Sequence, residues 1–290
     1  YGKDPELVIK NAKAYVRGVR ESGLAVCCKH FPGDGIEELD QHLVMGVNTM
    51  ECDEWDSTFG HVYKEMIDSG IQSIMAGHIA LPEYSRKLRP GIKDEDIMPA
   101  TLAPELITDL LRGKLGFNGL VLTDASHMAG MTAAMPRSQQ VPGAIAAGCD
   151  MFLFFNDIEE DFCYMMDGYR NGIITEERLT DALRRILGLK ASLKLHEKKK
   201  KGTLIPEKEG LSVVGCAEHL AMAAEAAKKS ITLVKDTQHN LPVTPKTHKR
   251  AYAFVISSPP ISRKNQHDPV KQLVKEEMER FGYETTMHES

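Results

Sequence analysis

Four short apolar runs alternate with helical segments through residues 4–195, and this alternation restricts the fold more than any other feature of the sequence. The runs are residues 24–28 (LAVCC), 71–76 (IQSIMA), 120–123 (LVLT) and 151–155 (MFLFF), each bounded by glycine, proline or charge. Runs this short, punctuated in this way, suit buried strands better than helices. Between them apolar residues recur at helical spacing: Leu7, Ile9, Ala12, Tyr15 and Val16; Val62, Met66 and Ile67; then helices over 104–113 and 139–147. A last helix over 176–195 carries Leu179, Leu183, Ile186 and Leu187 as its expected buried stripe. Strands separated by helices imply parallel pairing and right-handed crossovers, hence an α/β fold. Four βα units are half of an eight-fold barrel, and an open doubly wound sheet fits the periodicity equally well.

Chemistry-bearing side chains gather where three of these strands end. The first run is followed by Lys29, His30 and the turn-forming Phe31-Pro32-Gly33-Asp34-Gly35, with Asp40 and His42 further along the same loop. The third run delivers Asp124, followed by Ala125-Ser126-His127-Met128. His78 lies just past the second run, in Met75-Ala76-Gly77-His78. The carboxyl edge of parallel strands is where α/β proteins do their chemistry. Taken singly each residue has an ordinary explanation: a solvated Lys, a turn-capping His, an Asp capping the next helix.

Composition removes several classes of function. The 36 basic and 41 acidic residues give a net charge of −5, with no basic stripe interleaved with aromatics, which argues against nucleic acid as a partner. No apolar run approaches the length that crosses a membrane. The opening Tyr1-Gly2-Lys3-Asp4 is polar and lacks an initiating Met, so the expectation is a fragment of a cytoplasmic protein, with export left open. Of the six cysteines, Cys27 and Cys28 are neighbours in a strand and point to opposite faces, so they should not bridge. Free, mostly buried thiols in a reducing compartment are expected. Residues 196–210 (HEKKKKGTLIPEKEG) read as a charged linker, followed by an Ala-rich helix over 217–229, a strand over 252–256 and a helix over 270–281.

The ordered string Lys29-His30-Phe31-Pro32-Gly33-Asp34-Gly35, followed by Asp40-Gln41-His42, resembles glycoside hydrolase family 3, and within it the bacterial β-N-acetylglucosaminidase branch. The segment from Arg112 through Leu115-Gly116-Phe117 to the strand ending Thr123-Asp124-Ala125 is similar to that family's nucleophile segment. The resemblance implies a TIM-type (β/α)8 barrel, of which residues 1–195 would be the C-terminal half. Residues 211–290 would begin a second α/β domain, since 230–235 (SITLVK) with Asn240-Leu241-Pro242 looks like that domain's opening phrase. It implies a retaining β-N-acetylhexosaminidase acting on carbohydrate without metal or cofactor. Asp124 would be the nucleophile and His42, oriented by Asp40, the acid/base. Lys29 and His30 would bind sugar hydroxyls, with His78 in a supporting role and His127 in the pocket wall. The first four strands of the barrel, and the sugar-binding Asp and Arg they carry in the family, would lie outside this chain and form its expected partner. Two positions depart from the branch's commoner string: Asp34 stands where His is usual, and Gln41 where Ser is usual.

Other readings stay open at this stage. A family 3 β-glucosidase shares the nucleophile and the Lys-His pair but usually employs another acid. An inactive half-barrel that only binds glycan or a partner chain would explain the missing strands. A metal-dependent hydrolase using His30, His42, His78 and Asp124 lacks the usual ligand spacings.

Overall fold

In the computed structural model, which describes residues 2–256 and 269–288, the chain divides into two compact units, 1–206 and 207–290. The first is built on a parallel four-stranded sheet in the order β1 (Cys27–Phe31), β2 (Ser73–Ala76), β3 (Leu120–Ala125), β4 (Met151–Leu153). Sequential strands are spatial neighbours throughout, the order expected of consecutive barrel strands rather than of a doubly wound sheet. The α/β class and the four-strand half-barrel read from the sequence are therefore observed.

The connecting helices have local causes. In α1 (Pro5–Glu21), Asp4 caps the N-terminus by accepting from the Leu7 amide at 3.0 Å, with Pro5 in the first turn. A five-residue turn with i→i+5 hydrogen bonding, Asp56–Gly60, leads into α2 (His61–Asp68). Next comes α3 (Pro82–Leu88), a short helix not anticipated from the sequence, and then α4 (Glu105–Lys114), also widened to i→i+5 bonds. After α5 (Arg137–Ala147), Gly148 at φ +122° turns the chain into β4. The helix α6 (Ile158–Arg170) is a second one the sequence reading passed over; Asp157 caps it, accepting from two amides. The last long helix, α7 (Glu176–Ser192), is capped by Thr175.

Several expectations need correction. The first strand is shifted: it begins at Cys27 and runs through Lys29 and His30 to Phe31, instead of ending before them. The reason is packing, because Phe31 is fully buried edge-to-face against Tyr63 and Trp55, and this holds the strand in register with β2 as far as Ala76. The expected apolar stripe on α7 is inward only in part. Leu179 and Ile186 are half-buried, but Leu183 and Leu187 are 47% and 61% exposed, and Ala182, Arg178 and Arg185 share the inward face. Thiol burial was overstated, since Cys149 is buried but Cys27 and Cys163 are exposed; all six are free. Finally, the first five residues of the expected linker, 196–200, lie in a helix, α8 (Leu195–Lys200).

The arginines of α7 face Asp150, whose side chain is wholly buried at the start of β4. Its Oδ2 accepts from Arg112 at 2.8 Å and from the Val121 amide at 2.9 Å; its Oδ1 accepts from Arg178. Arg112 also donates to the carbonyls of Phe117, Gly119 and Gly148. One carboxylate thus ties α4, α7 and the amino end of β3 together.

The second unit contains α9 (Ala217–Ser230) and two parallel strands, β5 (Arg250–Ala253) and β6 (Glu284–Met287), joined through α10 (Pro269–Arg280). The strand expected at 252–256 is displaced two residues toward the amino end. No helix among the described residues is long and apolar enough to cross a membrane.

Asp150→Ala should strand the guanidinium groups of Arg112 and Arg178 without their buried partner. Removing one member of such a cluster costs about 3 kcal/mol or more, to be read as a lowered denaturant midpoint in equilibrium unfolding.

Candidate active site

The two strands carrying the predicted chemistry are irregular at the residues concerned. Between β1 and β2 the pairing passes from Cys28↔Ile74 to Phe31↔Ala76, so β1 fits an extra residue at Lys29-His30. Between β3 and β4 it passes from Leu122↔Met151 to Ala125↔Leu153, with the extra residue at Thr123-Asp124. Bulges re-aim side chains at the ends of strands. At the second bulge the Thr123 hydroxyl accepts from the Leu153 amide at 2.9 Å, satisfying a donor that the regular ladder would have paired.

Asp124 is 8% exposed at the carboxyl end of β3. Its Oδ1 accepts from the Ala125 amide at 2.7 Å, and its Oδ2 faces His30 Nε2 at 3.4 Å. It caps no helix: the next helical turn starts at Ala129, and the only hydrogen bond to its carboxylate among the described residues is that of Ala125. The capping alternative therefore loses its support.

The loop after β1 is anchored at both ends. Trp55 Nε1 donates to the Pro32 carbonyl at 2.9 Å, and Asn48 to that of Gly33. Gly33, at φ +130°, lies so close to the Phe59 ring that a Cβ would come within 2.2 Å of it. At the far end the Ala129 amide donates to the His42 carbonyl at 3.1 Å. Gly130 closes the joint, because a Cβ there would meet His78 Cβ at 2.9 Å and the carbonyls of Val44 and Gln41 at 3.0 and 3.1 Å. The loop thereby docks on the segment just beyond Asp124.

Within this loop Asp40 Oδ1 accepts from both the His42 amide, at 2.9 Å, and its Nδ1, at 2.7 Å. These bonds hold the Asp40 carboxyl below the usual carboxylate range, the amide contributing most. His42 is 70% exposed on its side chain, and its Nε2 has no hydrogen-bond partner among the described residues. Asp40, Gln41 and His42 border a cleft of about 230 Å³ shared with Asp34, Val47 and Ile79. His30 Nδ1 is bonded to Asp34 Oδ2 at 2.6 Å, and Gln41 Nε2 donates to Asp34 Oδ1 at 3.1 Å.

The remaining expected site residues are placed differently. Lys29 is exposed on β1, and its ammonium makes no hydrogen bond or ion pair among the described residues. His127 stacks on Phe154 with ring centroids 6.0 Å apart. His78 is fully buried: its Nδ1 is 2.9 Å from the Thr101 hydroxyl and its Nε2 is 3.0 Å from the Ala125 carbonyl. Both ring nitrogens are engaged inside the protein, so its contact is with the backbone that carries Asp124. Sequence reasoning missed Thr101, which reaches His78 from a separate turn. It also missed Arg137, whose guanidinium binds Asp161 (Nε–Oδ1 2.7 Å) and both the hydroxyl and carbonyl of Ser126. Nothing in residue spacing announces either contact.

Burial pushes the His78 imidazole below its ordinary value of 6.5, with the Ala125 carbonyl opposing the shift. The unfolded chain therefore takes up a proton that folded His78 refuses. Stability from this source is intact above the ordinary imidazole range and declines as pH falls through it. His78→Gln should unfold more easily than wild type at about pH 7.5, yet lose less stability than wild type between there and about pH 5.5; denaturant titrations at both values check this.

Comparison with known proteins shows the family of the chain. The glycosyl hydrolase family 3 N-terminal domain matches residues 1–189. A beta-N-acetylglucosaminidase/beta-glucosidase of Cellulomonas fimi is 48% identical over 276 residues, covering 94% of this chain and 48% of that protein. A beta-hexosaminidase of Chromobacterium violaceum is 32% identical over 160 residues, 55% of this chain and 42% of its own. Among solved structures, beta-glucoside phosphorylase BglX superposes with a TM-score of 0.87 at 40% identity, covering 99% of this chain and 51% of that one. The chain thus spans about half the length of the relatives it matches, and on the extent of the domain match it belongs to glycosyl hydrolase family 3.

Proposed function

We propose that this chain carries the covalent chemistry of a retaining glycosidase that releases terminal β-linked N-acetylhexosamine. The observation that carries the reading is the docking of the His42–Asp40 loop onto the segment following Asp124, through the Ala129–His42 backbone bond. An acid/base and a carboxylate nucleophile are then parts of one joint, as a double displacement at an acetal carbon requires. The names of the Cellulomonas and Chromobacterium relatives support the sugar.

In this reading Asp124 Oδ2 attacks the anomeric carbon, whose oxocarbenium-like transition state attracts negative charge. His42 Nε2–H protonates the departing oxygen, while Asp40 on Nδ1 fixes the tautomer and supports the imidazolium. The neutral ring then removes a proton from water, which hydrolyses the glycosyl ester. Lys29 and His30 hold sugar hydroxyls near the attacked carbon. The strands β1 and β4 each pair on one side only among the described residues. That supports completion of the site by a further strand-bearing segment of the kind the longer relatives can accommodate.

A second reading, phosphorolysis of the same intermediate, is favoured by the likeness to beta-glucoside phosphorylase BglX. A neutral imidazole base repels an incoming anion less than a carboxylate would.

Turnover of an aryl N-acetylglucosaminide, by the chain alone and with a supplied N-terminal half, tests the first reading. Asp124→Asn should retain less than about a tenth of the rate, a lost covalent step being worth orders of magnitude. His42→Ala should slow substrates with poor leaving groups most and let the ester accumulate on Asp124. Equal slowing of good and poor leaving groups, with no trapped ester, would move the acid role elsewhere and favour the β-glucosidase alternative. In phosphate buffer the second reading expects sugar 1-phosphate; purely hydrolytic product at high phosphate would remove it.

A further inference from the structure

The two positions at which the loop departs from the commoner family string, Asp34 and Gln41, are bonded to each other and to His30. Asp34 Oδ2 lies 2.6 Å from His30 Nδ1, and Asp34 Oδ1 accepts from Gln41 Nε2 at 3.1 Å. The opposite ring nitrogen, His30 Nε2, is 3.4 Å from Asp124 Oδ2. A line of groups thus runs Gln41, Asp34, His30, Asp124. Gly77 packs beneath the imidazole, where a Cβ would sit 3.0 Å from His30 Cβ.

We propose that Asp34 is a positioning residue for the nucleophile's neighbour: braced by Gln41, it keeps a proton on His30 Nδ1 and so decides what His30 Nε2 presents to Asp124. A carboxylate can only accept, and its 2.6 Å contact is far shorter than the 3.4 Å approach of Gln41 Nε2 to the same nitrogen, so His30 Nδ1 is the donor to Asp34. The brace matters because Gln41 occupies the second carboxylate oxygen and fixes the carboxyl plane. With Nδ1 protonated, Nε2 is either a lone pair or, in the imidazolium, a second donor aimed at Asp124. The neutral tautomer with its proton on Nε2 is disfavoured. That tautomer would donate to the Asp124 carboxylate without bringing a full positive charge to the site, and would occupy the oxygen meant to attack. The same constraint leaves Nε2 able to accept from a sugar hydroxyl while the carboxylate stays unencumbered. Asp34 touches neither Asp124 nor a reacting atom, so its effect is exerted through His30.

This inference rests on the proposed glycosidase chemistry, but its test has a part that needs no turnover. In ¹⁵N-labelled chain, long-range ¹H–¹⁵N correlation should find the His30 proton on Nδ1 in wild type. In Asp34→Asn, whose amide can turn its NH₂ toward the ring, the neutral ring should carry the proton on Nε2. Asp34 is partly exposed at the loop surface, so this isosteric change leaves folding intact. In turnover, Asp34→Asn should lower kcat by about 10- to 100-fold with a smaller effect on KM, the scale of a misplaced catalytic group. In a His30→Gln background the same substitution should cost less than about twofold, since two residues acting through one route do not add. A wild-type ring protonated on Nε2 alone, or a tautomer indifferent to Asp34→Asn, overturns the proposal whatever the activity. Losses that multiply in the double variant overturn it as well. A chain with the expected tautomer pair and no glycosidase activity would instead overturn the proposed function and leave the Asp34–His30 pairing standing.

Discussion

The strand that presents Asp124 is fastened at both ends by charge, and most of the first unit is arranged around that fastening. At the amino end the buried Asp150 carboxylate takes the Val121 amide together with the guanidinium groups of Arg112 and Arg178. Just past the carboxyl end, Arg137 holds Ser126 by its hydroxyl and carbonyl while paired with the buried Asp161. Buried ion pairs contribute little net stability but penalise any rearrangement that separates them. Helices α4, α5, α6 and α7 supply the partners, so the outer layer is committed to holding one strand in place.

Against this rigid strand the loop carrying His42 is positioned mostly by main chain and close packing. The neutral, buried His78 links the two regions: it donates to the Ala125 carbonyl while its Cβ lies under Gly130. Asp124, in turn, accepts from the amide of that same Ala125. One residue after the carboxylate is therefore gripped on both its amide and its carbonyl. This is a form of preorganisation, in which the Asp124 carboxylate has little orientational freedom left to lose.

The layering of the fold was legible because apolar runs and helical periodicity are local signals, and α/β alternation follows from them directly. What escaped is non-local. Leu183 and Leu187 sit at ordinary core spacing, yet α7 turns Arg178 and Arg185 inward because a buried carboxylate on a different element demands them. The first strand was placed too early because Lys29 and His30 look like strand-ending charges. Its true end is set by Phe31 packing on Trp55 and Tyr63, neither of which is close in sequence. At the candidate site the residue string anticipated the contact between Asp40 and His42. It did not disclose the bulges in β1 and β3, which depend on pairing, nor the burial of His78, which depends on Thr101 and Ala125.

Gly130 has a consequence for how such a loop can be altered. The loop rests on that glycine through its own Gln41 and Val44 carbonyls, with His78 Cβ alongside, while Ile36, Leu39 and Leu43 are exposed. A seat made of backbone is indifferent to the side chains it carries. Those three exposed positions can therefore be rewritten residue by residue with the His42 imidazole left at its station. Laboratory evolution of this loop has, in Ile36, Leu39 and Leu43, positions whose content is independent of the mounting, provided Asp40, Gln41 and His42 are kept and position 130 keeps its hydrogen.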